Sequence, residues 1–373
     1  VAEIYLSNSP ETQKLWSKRL WSAYRRADAV WNDKFGFVGD DPDENPFVVI
    51  DDPSRSVGDE VTITLSLQIS GRGVIGDEVL EGKEIPIETE TFKIKIDEQV
   101  QGVKTRGRMN GQRVSFDTLE EGKKKLKDWW KTRRAVSAIN HLCGNTMATD
   151  LAYTGLNTVA APDTLHIYRQ GSGLGAGTDA VVNGDNTQKF AIEQLDIFPT
   201  IAEQLPVPIK PFIIDGNPYY GYLIHPNCVE DMRVTSGKWF DVMKAALNGG
   251  KYANNPIFTR ALGMWRNVLL FSEPHITNGN NAGAYQTSTR RNVFFGSGTL
   301  GIAYGRHDRG GKEHFRWYSG TWDHGRKYYA SAGQIWGVKG TRFNDAGTPR
   351  DYGKIVHTVY ATDRVTGIGN IGQ

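Results

Sequence analysis

Three histidines and several carboxylates fall close together late in the chain, as Arg306-His307-Asp308, Glu313-His314 and Asp323-His324. Imidazole nitrogens and carboxylate oxygens are the donors that zinc takes, so a turn gathering them could ligate a metal or move protons. No His-Glu-x-x-His pattern is present, and Gly310, Gly311, Gly320 and Gly325 punctuate the run as turn residues. A surface loop anchored by Phe315, Trp317, Tyr318 and Trp322 is the better account. The two cysteines, Cys143 and Cys228, are too few for a disulfide scaffold and lack C-x-x-C spacing. Both read as buried thiols in a reducing compartment.

Gly171-Ser-Gly-Leu-Gly-Ala176 superficially fits a dinucleotide fingerprint. A phosphate cradle needs a helix opening just after it, and Thr178 to Gly184 does not open a convincing one, so a flexible loop is expected. No G-x-S-x-G elbow and no G-K-[ST] phosphate loop occurs. His141 and His225 read as packing or hydrogen-bonding residues. The sequence therefore predicts no enzyme, no cofactor and no metal site.

The elements that could position other functions are clearer. Ser9 can cap and Pro10 fits the first turn of a helix, along which Trp16, Leu20, Ala23, Ala27 and Val30 form an apolar stripe. Lys14, Lys18, Arg19, Arg25 and Arg26 surround it, and the acidic segment Asp40–Pro46 follows. Val61, Ile63, Leu65, Leu67 and Ile69 then alternate with polar residues, which is the period of a strand with one apolar face. Phe92, Ile94 and Ile96 repeat the pattern, with a glycine-rich and acidic tip between the two runs. An isolated hairpin of this length is marginal in water, so it must lean on something.

Residues 115–144 switch to helical period, with Leu119, Leu126, Trp129, Val136, Ile139 and Cys143 on one face and Gly144 as the stop. The helix would run ~40 Å. Its other face carries Lys123, Lys124, Lys125, Lys127, Lys131, Arg133 and Arg134. Phe190–Leu205 and Cys228–Asn248 read as helical. Pro211–Asp215 with Tyr219–Pro226, Gly263–Ser272 and Asn292–Gly296 read as strands, and Leu300–Tyr304 is apolar. Residues 145–190 carry few periodic signals.

At 373 residues, 39% hydrophobic and 11% aromatic, the chain can bury a large core in one or two domains. The 44 Lys and Arg nearly cancel the 42 Asp and Glu, which excludes a broadly basic coat for nucleic acid but not a basic face. No apolar run approaches the ~20 residues of a membrane helix, and the N-terminus lacks a signal-peptide pattern. A soluble protein made in the cytosol is expected. Ten Trp and fifteen Tyr among many turns keep one rival open, a carbohydrate-binding or carbohydrate-active protein.

The order of basic arm, hairpin, long helix and mixed domain resembles the major capsid proteins of phages similar to N-four, within the Hong Kong 97 (HK97) capsid lineage. The segments that carry the resemblance are Gly58–Leu65, Gly76–Gly82, Met109–Asp117, Ile224–Pro226, Asn255–Met264 and Lys339–Asn344. It implies an α+β fold with an N-terminal arm at 1–57 and an extended loop at 58–107. A peripheral domain at 108–199 would hold the spine helix, an axial domain would span 200–290, and 291–373 would return through strands to a tail. It implies a shell built from hexamers and pentamers of the chain around double-stranded DNA, in the virion of a tailed bacteriophage and assembled in the host cytoplasm. Scaffolding, portal and decoration proteins would be its other partners, with no membrane. Subunit-interface candidates are Trp16, Trp21, Tyr24, Arg25 and Trp31 on the arm, with Arg72, Asp77, Glu78, Glu81, Arg106 and Arg108 around the loop. Genome-facing candidates are Lys123, Lys124, Lys127 and Lys131.

Overall fold

The computed structural model describes residues 38–41, 44–50, 59–66, 73–76, 79–82, 89–107, 118–214, 216–235, 263–305, 315–345 and 347–361. The arm helix expected over 9–35, residues 306–314 with most of the His–carboxylate run, and the end of the chain after 361 lie outside the described residues. In chain order the first elements are β1 (Val38–Gly39), β2 (Phe47–Ile50), β3 (Glu60–Ser66), β4 (Thr89–Lys95) and β5 (Asp97–Lys104). Helix α1 (Thr118–Cys143) follows, then β6 (Ile167–Arg169), β7 (Gly173–Leu174), α2 (Asp179–Gly184) and α3 (Ile197–Gln204). Next come β8 (Phe212–Ile214), β9 (Asn217–Ile224), α4 (Pro226–Thr235), β10 (Gly263–Trp265), β11 (Val268–Ser272), β12 (Gly279–Asn281) and β13 (Ala284–Gln286). The last are β14 (Thr289–Phe295), β15 (Leu300–Tyr304), β16 (Phe315–Trp322), β17 (Lys327–Gly340), β18 (Arg342–Asp345), β19 (Thr348–Asp351) and β20 (Lys354–Tyr360).

Two mixed sheets organise most of these strands, and β3–β4, β12–β13 and β18–β19 pair separately. The six-stranded sheet runs β1-β2-β15-β17-β16, with β5 also paired to β17. The eight-stranded sheet runs β10-β11-β9-β14-β20-β6-β7, with β8 added beside β9. The expected hairpin is present as β3 and β4, antiparallel, with Val61 opposite Ile94 and Ile63 opposite Phe92. Val61, Phe92 and Ile94 are buried, as the period of two in a one-faced strand requires.

Its root does not project freely. Val61, Phe92 and Ile94 are buried with Ala303 of β15, and Ile50 and Ile96 pack beside them. The chain then leaves the hairpin directly into β5, which joins the six-stranded sheet along Tyr329–Trp336.

Several expectations need correction. Gly263–Ser272 is two strands folded about Arg266, whose φ of 50° makes the turn, rather than one strand. Phe315–Trp322 is strand β16, not a loop. Phe315 and Trp317 point into the core while Arg316 and Tyr318 are exposed, so a period of two was hidden by the glycines around it. A short helix, α2, does form after the Gly171–Ala176 turn, with Thr178 at its N-cap. Strand β20, expected as part of a C-terminal return and tail, lies in the middle of the eight-stranded sheet between β14 and β6. It is buried on both faces from Lys354 to Val359, so it lacks the alternation that marks a half-exposed strand.

Candidate assembly surfaces

Helix α1 links the two sheets. Its first half packs on the inner face of the six-stranded sheet, where Trp130 lies edge-on to Phe315 at 5.2 Å and to Trp336 at 6.5 Å. The fully buried anchor is thus Trp130, not its neighbour Trp129, which is half-buried. Arg133 explains the difference, because its guanidinium sits over Trp129 at 4.9 Å and over Tyr153 at 3.8 Å. The pair of cation–π contacts holds Trp129 at the rim.

From Arg134 to Cys143 the helix is buried on every side. Its last carbonyl groups have no intrahelical donors, and the eight-stranded sheet supplies them. Lys354 on β20 donates Nζ–H to His141 O at 2.7 Å, and Arg291 on β14 donates Nη1–H to Gly144 O at 2.8 Å. Gly144 ends the helix at φ 64°, where a Cβ would meet Pro162 at 2.5 Å. Positive side chains at a helix C-terminus also complement its dipole.

A buried carboxylate anchors this junction. Asp179, on α2, accepts Nε–H and Nη2–H from Arg291 at 2.9 and 2.6 Å through Oδ2. Its Oδ1 accepts Nε–H of Arg169 at 2.8 Å and the hydroxyl of Thr358 at 3.2 Å. Burial alone would raise the Asp179 carboxyl, but the Arg291 and Arg169 guanidiniums outweigh it and hold it below its ordinary range. A second group ties β19 and β20 to the loop before β6. There Asp351 accepts from Arg342 at 2.9 Å and from the backbone N–H of Asp163 at 2.8 Å. None of Arg169, Asp179 and Asp351 was singled out from sequence, since nothing local marks them.

The imidazoles of His141, His225 and His357 are structural. Burial pushes His141 down to about 4, with Nε2 at 2.8 Å from Thr154 O. Burial likewise pushes His357 down to about 3, with Nδ1 at 2.7 Å from the Tyr222 hydroxyl. His225 is lowered to about 3 by burial and by the charge of Arg290, and its Nδ1 accepts the N–H of Asn227 at the start of α4. Cys143 and Cys228 are buried free thiols, as expected, and burial raises both. Among the described residues no group of three or more His, Cys, Asp or Glu could hold a metal ion. Asp323 and His324 form the β16–β17 turn, where Asp323 pairs with Lys327 at 3.1 Å. No helix among the described residues is long and apolar enough to cross a membrane.

Of the interface candidates, Trp16, Trp21, Tyr24, Arg25, Trp31, Arg72, Asp77, Glu78 and Arg108 lie outside the described residues. Glu81 at the hairpin tip and Arg106 after β5 are both exposed. Around Glu81 the tip presents Ile75, Val79 and Leu80 at 66%, 67% and 58% exposure, three large aliphatics each open to water. Among the lysines, Lys123 pairs with Glu120 at 2.6 Å and Lys124 with Glu121 at 3.8 Å. Lys127 and Lys131 are half-buried, and Arg134, read from sequence as part of the basic face, is buried.

The architecture is that of an HK97-type capsid subunit, an α+β fold with a long helix joining two sheets and a strand hairpin rooted on one of them. The solved capsid of Ralstonia phage GP4 is similar over 98% of this chain and 100% of its own, at 26% identity and a TM-score of 0.72. The capsid of cyanophage Pam1 shares the fold at 16% identity and a TM-score of 0.68, over 97% of this chain and 94% of its own. The head of Helicobacter pylori bacteriophage KHP40 does so at 13% and 0.62, over 90% and 92%. No match was found among curated proteins.

The phage capsid protein family matches residues 5–362, and the chain belongs to that family. It is a major capsid protein of a tailed phage, a structural subunit of the virion that assembles with copies of itself into the shell and is not an enzyme. Nothing in these comparisons supports the carbohydrate alternative.

Proposed function

We propose that copies of this chain form the hexamers and pentamers of an icosahedral or prolate head enclosing double-stranded DNA, assembled in the bacterial cytoplasm. Residues 1–57 act as the arm and 58–107 as the extended loop. Residues 108–199 form the peripheral domain and 200–290 the axial domain, with 291–373 completing both. Trp16, Trp21, Tyr24, Arg25 and Trp31 on the arm, and Arg72, Asp77, Glu78, Glu81, Arg106 and Arg108 around the loop, contact neighbouring copies. Scaffolding and portal proteins, and decoration proteins where present, are further partners. Lys123, Lys124, Lys127 and Lys131 face the packaged genome and touch it without sequence preference.

The exposed aliphatic tip of an otherwise rooted hairpin is the observation that carries this reading. Obligate assemblies commonly bury ~2,000–5,000 Å² between partners, more than a compact body alone offers, so reaching segments supply the area. Deleting residues 1–35 is the test. The expected result is a folded body that no longer forms particles by negative-stain electron microscopy; normal particles from the truncated chain would remove the arm from the scheme.

A further inference from the structure

Strand β5 ends the six-stranded sheet on one side. It pairs with β17, from Lys104 opposite Tyr329 to Asp97 opposite Trp336. No strand among the described residues pairs with its other edge. That edge is eight residues long, contains no proline, and is uncharged from Gln99 to Val103. Asp97, Glu98, Val100, Gln101, Gly102 and Lys104 are all exposed. Proteins usually blunt such an edge, because its row of backbone groups is a template for another strand.

The backbone bonds fix which residues face outward. Thr105 donates its N–H to Tyr328 O at 2.8 Å, so the odd-numbered residues of this segment turn their backbone groups toward β17. Bonding alternates along a strand, which turns the N–H and C=O of Glu98, Val100, Gly102 and Lys104 away from it. In keeping with this, the Glu98 N–H meets the Asp97 carboxylate at 2.7 Å. The same four residues face the side of the sheet opposite α1, together with Tyr318, Trp322 and Lys327. There Val100 lies against Gly333, and Lys104 stands 5.5 Å from the Trp322 ring. The odd-numbered side chains point the other way. Val103 reaches Gly122 of α1, and Gln99 accepts Nε1–H of Trp336 at 3.1 Å.

We propose that this edge pairs antiparallel with the β5 edge of a second copy, about a two-fold axis at Gln101. The proposal deepens the shell-building reading above and rests on it. Outward backbone groups must meet outward ones, so only the even-numbered residues can exchange hydrogen bonds across the joint. An axis at Gln101 sets Glu98 opposite Lys104 and Val100 opposite Gly102, and the symmetry repeats both pairs. Opposite charges then stand face to face at each end, the arrangement that stabilises cross-strand pairs. The Val100 side chain, 52% exposed in the single subunit, covers a residue that has none. Moving the axis to Val100 leaves Glu98 opposite Gly102, and moving it to Gly102 leaves Lys104 opposite Val100. A parallel pairing in register sets like charges side by side. The joint is isologous, and it links copies that head-to-tail contacts alone would leave in separate rings.

Gln101→Cys tests the axis directly. Residues facing each other at a non-hydrogen-bonded pair have Cα atoms about 4.5 Å apart, within reach of a disulfide. Mild oxidation of particles assembled from the full-length variant is expected to give a covalent dimer on a non-reducing gel. The wild type is expected to give none, because Cys143 and Cys228 are buried. Particles of the variant that yield no dimer overturn the strand joint and leave the shell reading intact. Failure of the wild-type chain to form particles under every assembly condition strikes the shell reading, and the joint with it. Charge exchange gives an independent readout if the cysteine variant does not fold. Glu98→Lys alone and Lys104→Glu alone are each expected to lower the yield of particles, and the two together to restore it. The two residues stand ~20 Å apart along one strand, so restoration reports a contact between copies. Undiminished yield from either single variant, or a loss that the double variant does not reverse, overturns the proposal.

Discussion

Arg291 holds Asp179 at 2.6 Å with one arm of its guanidinium and the carbonyl of Gly144 at 2.8 Å with another. One side chain on β14 therefore fixes α2 to the sheet and caps the helix that spans both sheets. The Arg291–Asp179 contacts are buried, so each of these charges depends on the other's presence.

Asp179→Asn is accordingly expected to destabilise the folded chain by about 3–5 kcal/mol, since it leaves two arginines near a neutral amide in a dry site. Urea unfolding of the purified chain measures it. A midpoint within error of wild type would show that the cluster contributes little.

Trp130→Ala is expected to cost about 3–5 kcal/mol through the cavity left between α1, Phe315 and Trp336. Trp129→Ala should cost clearly less, because that ring lies at the rim under Arg133. Equal losses in thermal unfolding of the two variants would contradict the assignment of Trp130 as the anchor.

Ile94→Asp places a charge at a fully buried position between the hairpin root and β15. A loss of about 3–5 kcal/mol is expected for an unpaired buried charge, enough to remove soluble folded protein. Leu80→Asp at the exposed tip should leave folding unchanged and reduce only assembly. Circular dichroism and particle counts separate the two effects, and similar stability of both variants would refute the rooted hairpin.

Acid should weaken the fold before it reaches the carboxylates. His141 is lowered from 6.5 to about 4, and His225 and His357 to about 3, chiefly by burial. The unfolded chain thus binds these protons more tightly, so the stability they contribute is complete above pH 6.5 and is lost progressively down to the folded values. Each contributes a slope of about 1.4 kcal/mol per pH unit inside that window. Asp179, lowered in the fold, adds a further loss only below its ordinary 3.8. Urea midpoints at pH 7, 5.5 and 4.5 should fall steadily, and His357→Leu should flatten the fall. A flat profile in the wild type would mean these imidazoles are not buried neutral.

Much of the fold was legible in the residues themselves. The alternation through Val61 and Phe92, the helical period ending at Gly144, and the β8–β9 pair all depend on local spacing, and each appears where that spacing puts it. The segment from 145 to 190 was not legible, because β6 and α2 are held by partners more than a hundred residues away, Arg291 and Thr358 among them. The β16 strand was obscured for a different reason. Gly320 and the 323–326 turn look like loop chemistry until β17 supplies the pairing partner.

By itself the sequence determined the absence of a recognisable catalytic motif and the order of hairpin and long helix, because residue type and short-range periodicity are properties of the chain. Tertiary structure alone decided that β20 sits at the centre of a sheet, that Trp130 rather than Trp129 is buried, and that Asp179 bears two arginines. It alone brought Lys104, Tyr318, Trp322 and Lys327 onto one face, since strands far apart in the chain share a surface only when their hydrogen bonds place them side by side.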